Sequence, residues 1–329
     1  MSRRGILIAA ACLAAAGCGY IGDPLPPLAN IPEKIQDLRA VQRGGNLIVQ
    51  FTIPTRTTEN MFIRSGLKLD LRAGPAPSST QFNADAWASD AKRIPPVPLT
   101  SDLAIYTIPA EEWTGKVVTI AAHAIGSTGR SSGWSNFVNV TVVPAPAAPS
   151  NVHLLATATG VRLDWQGSAG GFRVFRRAAD QEDYIRAGET NNANFTDGAA
   201  EFGKQYWYQV QRVVKLPGGG EAESELSAAL SITPLDTFPP AAPGNIRTVA
   251  GTSSVELAWD RNTEADLAGY RVYRSAPGGE LQKVADALEL PAWSDRNIES
   301  GKTYRYAITA FDQAGNESIK SAITEVAVP

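Results

Sequence analysis

Hydrophobic and polar residues alternate with a period of two along most of this chain. Val161, Leu163 and Trp165 share one parity, as do Val255, Leu257 and Trp259, and Tyr304, Tyr306 and Ile308. Successive side chains of an extended strand point to opposite faces, so each run predicts a strand with one buried and one wet face. The runs are short and are separated by Gly, Asn, Asp and Pro at intervals of about 8–12 residues, the spacing of a β-sandwich. No long segment carries the 3.6-residue period of an amphipathic helix.

The pattern is also duplicated. PSNVHLLATATGVRLDWQ (149–166) aligns without a gap on PGNIRTVAGTSSVELAWD (243–260), and Trp165 follows Val152 by thirteen residues as Trp259 follows Ile246. GFRVFRR (171–177) matches GYRVYRS (269–275), and FTDGAAEFGKQYWYQV (195–210) matches WSDRNIESGKTYRYAI (293–308). The offset grows from 94 to 98 residues between the second and third strands. Tandem units of this size are domains rather than solenoid repeats. A Pro-x-Asn-Ile/Val start, a core Trp on the second strand, a Gly-Tyr/Phe-Arg-Val-Tyr/Phe-Arg third strand and a Gly-Lys-x-Tyr-x-Tyr sixth strand resemble fibronectin type III domains. The resemblance covers both C-terminal domains and implies an all-β fold of tandem immunoglobulin-like sandwiches.

The N-terminal region is a divergent version of the same pattern. Phe51 follows Leu38 by thirteen residues, and Leu47, Val49 and Phe51 alternate, which gives Phe51 the core position of the two tryptophans. WTGKVVTIAAHAIGSTGRSSGWSNFVNVTVV (113–143) resembles the last two strands and their hairpin, whereas residues 55–103 are long and poorly patterned. Proline-rich joints, PAPAAP (144–149) and DTFPPAAP (236–243), separate the repeats. The expected domains are 34–144, 145–236 and 237–329.

Ahead of them, Arg3 and Arg4 precede an apolar run from Ile6 to Ala16, too short for a membrane span and typical of a secretory signal peptide over 1–17. Ala15, Ala16 and Gly17 before Cys18 resemble the lipobox of bacterial lipoproteins, with Ala15 where leucine is usual and Leu13 two residues upstream. The resemblance implies that Cys18 becomes an acylated N-terminus; ordinary signal cleavage with an incidental thiol is the alternative. Gly19 is not the aspartate that marks inner-membrane retention in enteric bacteria, which favours the outer membrane if the cell is Gram-negative. Pro24, Pro26, Pro27 and Pro32 make 18–33 an extended stalk, reaching ~40 Å at ~3.1 Å per residue if polyproline-like.

Cys12 lies within the signal, so the mature chain would keep Cys18 alone, which excludes disulfides and cysteine-ligated metal. Removing 1–17 moves the formal charge from −3 to −5, and no basic footprint for nucleic acid is present. The chain's histidines number two, too few for a zinc cluster, and no Gly-rich phosphate loop follows a strand. Gly129-Arg130-Ser131-Ser132-Gly133 formally matches a nucleophile elbow with His123 upstream, but it lies between two predicted strands where the elbow needs a strand-to-helix turn. Asp260, Asn262, Glu264 and Asp266 mimic the start of a calcium loop, yet Ala265 replaces its glycine and Arg271 its last glutamate. No cofactor, metal or catalytic residue is expected.

Outward-facing aromatics supply the one binding expectation. If Tyr206 and Tyr208 face the core, Trp207 faces out, and so does Phe175 on the neighbouring third strand. Phe175 and Trp207 are therefore a candidate contact for protein or polysaccharide, with interdomain packing or cross-strand stabilisation as the alternative. Tyr273 and Arg305 hold the equivalent places in the third domain and predict a cation–π contact. The expected protein is a noncatalytic lipoprotein of the cell envelope, held at the membrane by its N-terminal lipid and binding an envelope protein or polysaccharide. A structural spacer without selective ligand, or an accessory hydrolase active in the divergent region, are the alternatives.

Overall fold

The computed structural model describes residues 30–77, 82–99, 101–168, 170–217 and 219–329. The expected signal peptide, Cys18 and most of the expected stalk lie outside the described residues. Among the described residues no helix is long and apolar enough to cross a membrane. Among the described residues two compact units form: 30–40 with 47–108 and 116–140, and 41–46 with 109–115 and 141–329.

The first sandwich, most of which lies in the first unit, is built from β1 (Arg39–Arg43), β2 (Asn46–Thr52), β3 (Lys68–Pro75), the helix α1 (Ala84–Asp90), β4 (Lys92–Ile94), β5 (Leu103–Pro109), β6 (Val117–Ile125) and β7 (Val138–Thr141). Strands β1, β2 and β5 are neighbours in one sheet, and β4-β3-β6-β7 form the other. Period-two alternation puts Leu47, Val49 and Phe51 at zero exposure. Phe51 stacks on Tyr106 with centroids 6.0 Å apart. Burying side chains of this size stabilises by roughly 1.5–3 kcal/mol each.

Residues 55–103, unpatterned in sequence, therefore hold β3, α1 and β4. Asn83 caps α1 by accepting from the backbone N–H of Asp85 and Ala86, and Asp85 places a negative charge at its first turn. The helix lies close on β3: a Cβ on Gly74 would come within 2.9 Å of Ala91 Cβ. A side chain there would push the helix off the sheet.

The second unit contains two further sandwiches. One comprises β8 (Ser150–Thr157), β9 (Gly160–Gln166), β10 (Gly171–Ala178), β11 (Ile185–Thr190), β12 (Asn194–Asp197), β13 (Tyr206–Lys215), β14 (Glu221–Leu226) and β15 (Leu230–Ile232). The other comprises β16 (Arg247–Ala250), β17 (Val255–Ala258), β18 (Leu267–Ser275), β19 (Gln282–Leu288), β20 (Ala292–Asp295), β21 (Thr303–Asp312) and β22 (Thr324–Ala327). The sheets run β12-β9-β8 and β11-β10-β13-β14 in the first, and β16-β17-β20 and β19-β18-β21-β22 in the second. First, second and fifth strands thus face the fourth, third, sixth and seventh, as the fibronectin type III resemblance implies. The fold is a tandem of such sandwiches.

The repeated sequence motifs have repeated physical roles. Trp165 meets the edge of Phe172 and Trp259 that of Tyr270, both at 5.2 Å between centroids. Asn151 and Asn245, the asparagines of the Pro-x-Asn start, sit at φ of 49° and 53°, a left-handed conformation that asparagine tolerates better than most residues. Tyr206 Oη accepts from Glu201 N–H at 3.1 Å and Tyr304 Oη from Glu299 N–H at 3.0 Å, tying each sixth strand to the corner before it.

Candidate functional site

Among the described residues, a group of four partly exposed aromatic rings in mutual contact lies in the first unit. Phe82 contacts Phe137 at 4.8 Å between centroids, Phe137 contacts Trp87 at 5.3 Å, and Trp87 contacts Trp134 at 6.2 Å, all edge to face. Trp87 is supplied by α1, whereas Trp134 and Phe137 come from the loop and residue leading into β7. Phe82 is 42% exposed and the other three are half-buried. Trp134 Nε1 donates to Asp85 Oδ1 at 3.2 Å and Trp87 Nε1 to the Pro75 carbonyl at 3.1 Å. Both indoles are thereby fixed in orientation.

A polar cluster borders these rings. His123 lies against Trp134 at 4.3 Å between centroids, tilted by 30°. Its Nε2 is 3.3 Å from Asp70 Oδ2, and its Nδ1 contacts Ser131 Oγ. Asp70 is buried and also accepts from Arg72 at 3.0 and 3.1 Å and pairs with Arg93 at 3.1 Å. Burial alone would raise the Asp70 carboxyl, but hydrogen bonds from Arg72 and His123 and the charges of Arg72 and Arg93 outweigh it and hold the group below the usual carboxylate range.

Ser131, His123 and Asp70 therefore form a hydrogen-bonded chain, but the elements around them are those of a hairpin. Gly126 N–H donates to the Arg130 carbonyl and Ser131 bridges to Ile125, closing the loop between β6 and β7 with no helix following the serine. The carboxylate that would orient a catalytic histidine is shared with two guanidiniums, and Nδ1 rather than Nε2 faces the hydroxyl. The chain's physical effect is to hold the imidazole against Trp134.

Phe175 and Trp207 are placed on the same face of neighbouring strands, both half-buried. Phe175 stands opposite Gln209 and Trp207 opposite Arg177, so the two rings are diagonal neighbours. The Arg177 guanidinium lies 4.4 Å from the Trp207 ring centroid and 5.6 Å from that of Tyr184. In the third sandwich Tyr273 stands opposite Ala307 and Arg305 opposite Ser275. The cation over Tyr273 is Lys320, at 4.6 Å, and Tyr273 Oη donates to Glu317 at 2.6 Å. Lys320 thus takes the role expected of Arg305.

The four acidic and amide side chains of the calcium-loop pattern have different partners. Asp260 accepts from Asn245 and pairs with Arg247, Asn262 donates to the Ala241 carbonyl, and Glu264 accepts from Ala241 N–H. Asp266 instead joins Asp236 and Asp312, whose carboxylate oxygens lie within 4.8 Å of one another. Asn316 donates its side-chain N–H to Asp312 Oδ2 at 2.8 Å and to the Asp236 carbonyl at 3.2 Å. This group has the oxygen chemistry of a hard-cation site, although exposed carboxylates also cluster without ions. Its members come from a linker, a loop and a strand end, so no local sequence spacing announces it.

No family model matches the chain. It is similar to exoglucanase B of Cellulomonas fimi, 27% identical over 192 residues that cover 55% of this chain and 16% of that protein. It is similar to the amylopullulanase of Thermoanaerobacterium saccharolyticum, 37% identical over 95 residues, covering 29% and 7% respectively. Chitinase A1 of Niallia circulans is 32% identical over 101 residues, covering 30% and 14%. The chain thus spans less than a fifth of the length of these relatives. The structure of the chicken CNTN1 FN1-FN3 domains is 15% identical and covers 90% of this chain and 99% of its own, at a TM-score of 0.29. Similarity to the hydrolases is confined to small parts of large proteins.

Proposed function

We propose that this chain is a noncatalytic, membrane-tethered protein of the cell envelope whose sandwiches bind polysaccharide. The observation that carries the reading is the grouping of Phe82, Trp87, Trp134 and Phe137 at the surface, away from the Phe51–Tyr106 core that stabilises the same sandwich. Partly exposed aromatic groups of this kind mark binding surfaces. The regions of similarity belong to an exoglucanase, an amylopullulanase and a chitinase, proteins named for breaking down polysaccharides, and this supports a carbohydrate-associated accessory role. An acyl group on Cys18 would supply location, and the proline-rich stalk reach.

The binding reading is tested by affinity electrophoresis and sedimentation of the mature chain with peptidoglycan, glucans and chitin. Retention by at least one is expected; free passage through all of them overturns it. Tethering is tested separately, because Cys18→Ser should abolish palmitate labelling and release the protein from membranes. A structural spacer is the second reading, favoured by a linker pinned by Asn316 on Asp236 and by Phe238 lying 6.3 Å from Phe202.

A further inference from the structure

We propose that the Phe82, Phe137, Trp87 and Trp134 surface is a binding site for a single, soluble chain of gluco-configured sugars. The inference rests on the polysaccharide reading above and names its site and ligand class. A pyranose whose hydroxyls are all equatorial turns its axial C–H bonds to both faces of the ring. Those weakly positive hydrogens are attracted to the electron-rich face of an aromatic ring, and their burial removes apolar surface from water. An axial hydroxyl, as in galacto-configured sugars, breaks one of the two faces.

Ring geometry selects the physical form of the ligand. Phe137 touches each of the other three rings, and the ring pairs of the group meet at 79°, 81°, 85° and 47°. Such a corrugated group cannot lie flat on a crystalline polysaccharide, which needs coplanar rings. A single chain can twist about its glycosidic bonds and set its sugars against rings that face different ways. A hydrogen-bonding group edges the rings for the equatorial hydroxyls: Asp85 beside Trp134. At 42% exposure, Phe82 leaves apolar surface for a ligand to cover.

The test uses the mature chain with Cys18→Ser, and follows tryptophan fluorescence during titration with cellohexaose, maltohexaose and a β-1,4-linked galactohexaose. Saturable binding of a gluco-configured hexaose, with weaker binding of the galactohexaose and no sedimentation with crystalline cellulose, is expected. Trp134→Ala should weaken it about tenfold or more and Phe82→Ser by about threefold, whereas Trp207→Ala should leave it unchanged. Phe82 is exposed enough that its replacement should not unfold the sandwich, and Trp134→Phe, which retains a ring, should keep most of the affinity. Unchanged binding in both Phe82→Ser and Trp134→Ala would overturn the site while sparing the polysaccharide reading. Equal binding of the galactohexaose, or binding of crystalline cellulose alone, would overturn the ligand class. A parent chain that binds no hexaose but is retained by another polysaccharide would overturn this site alone, and one that binds neither would overturn both.

Discussion

Tyr208 donates its hydroxyl proton to Asp197 Oδ2 at 2.8 Å, across a buried contact that Tyr306 and Asp295 repeat at the same distance in the third sandwich. Each aspartate also receives an arginine at 2.8 Å, Arg176 in one case and Arg274 in the other. A sixth-strand tyrosine, a fifth-strand aspartate and a third-strand arginine thus lock the two sheets together from within. Buried polar groups must be satisfied in this way, and the tyrosine hydroxyls and aspartate carboxylates are, whereas Arg176 Nε has no hydrogen-bond partner among the described residues.

This arrangement predicts an alkaline weakness. Burial, then the negative charge of Asp197 and its hydrogen bond, push the Tyr208 hydroxyl above its ordinary value of 10.0, and the same causes act on Tyr306. A folded-state value above the unfolded one means that the stabilisation is complete below about pH 10 and is lost as the pH rises beyond it. Tyr208→Phe should cost about 1–2 kcal/mol at pH 8, since Asp197 keeps Arg176. The variant should also lose less stability than the parent between pH 8 and pH 11 in urea unfolding. Equal losses would show that Tyr208 does not contribute to the alkaline transition.

Asp70 predicts the opposite dependence. Its folded-state carboxyl is lowered below 3.8, so its contribution is complete above about pH 4 and disappears as the pH falls through the folded-state value. Asp70→Asn removes the charge that Arg72, Arg93 and His123 share and should cost about 1.5–3 kcal/mol at pH 7. At pH 3 the difference from the parent should shrink. A difference that stays constant between the two pH values would mean that hydrogen-bond shape, and not charge, is what the site needs.

How far these features were legible depended on their distance in sequence. Trp165, Trp259 and Phe51 declared themselves by parity, and the repeat fixed the strand order, because sandwich strands are local and alternate strictly. Helix α1 did not, since its seven residues are shorter than the window in which a helical period can be read. The Asn83 cap followed by Asp85 was the available signal. Nor could the aromatic group be seen: Trp87 and Trp134 are brought together by a helix and a loop that are far apart in the chain. Parity did turn Trp207 outward, but it carries no information about Arg177 lying on its face. In the same way, Lys320 reaches Tyr273 from a segment outside the repeat motifs used to align the two domains.

A single backbone position offers a sharp stability test. Gly160 opens β9 at φ +124°, and a Cβ there would fall 2.1 Å from the Asp197 carbonyl oxygen. Both the left-handed backbone and the contact forbid a side chain, and the displaced carbonyl belongs to the aspartate that binds Tyr208. Gly160→Ala should therefore destabilise by more than about 1 kcal/mol, beyond the usual loss for an incompatible backbone. A melting temperature equal to that of the parent would show that the turn relaxes without disturbing Asp197.

The Arg177–Trp207 contact separates a structural role from a binding one. A guanidinium 4.4 Å over a half-buried indole should contribute about 0.5–1 kcal/mol, and Tyr184, at 5.6 Å, offers the cation a second ring. A double-mutant cycle of Arg177→Ala and Trp207→Ala should therefore give a coupling of about 0.5 kcal/mol in urea unfolding, while polysaccharide retention stays at the parent level in both single variants. Zero coupling would mean that the cation merely rests on the ring. Lost retention in Trp207→Ala would move ligand contact to this face, because the coupling to Arg177 alone cannot alter binding at a surface built from Trp87 and Trp134. Gained retention in Arg177→Ala would mean that the guanidinium covers a second, latent site, and the cation would then be a competitor for the sugar rather than a brace for the strand.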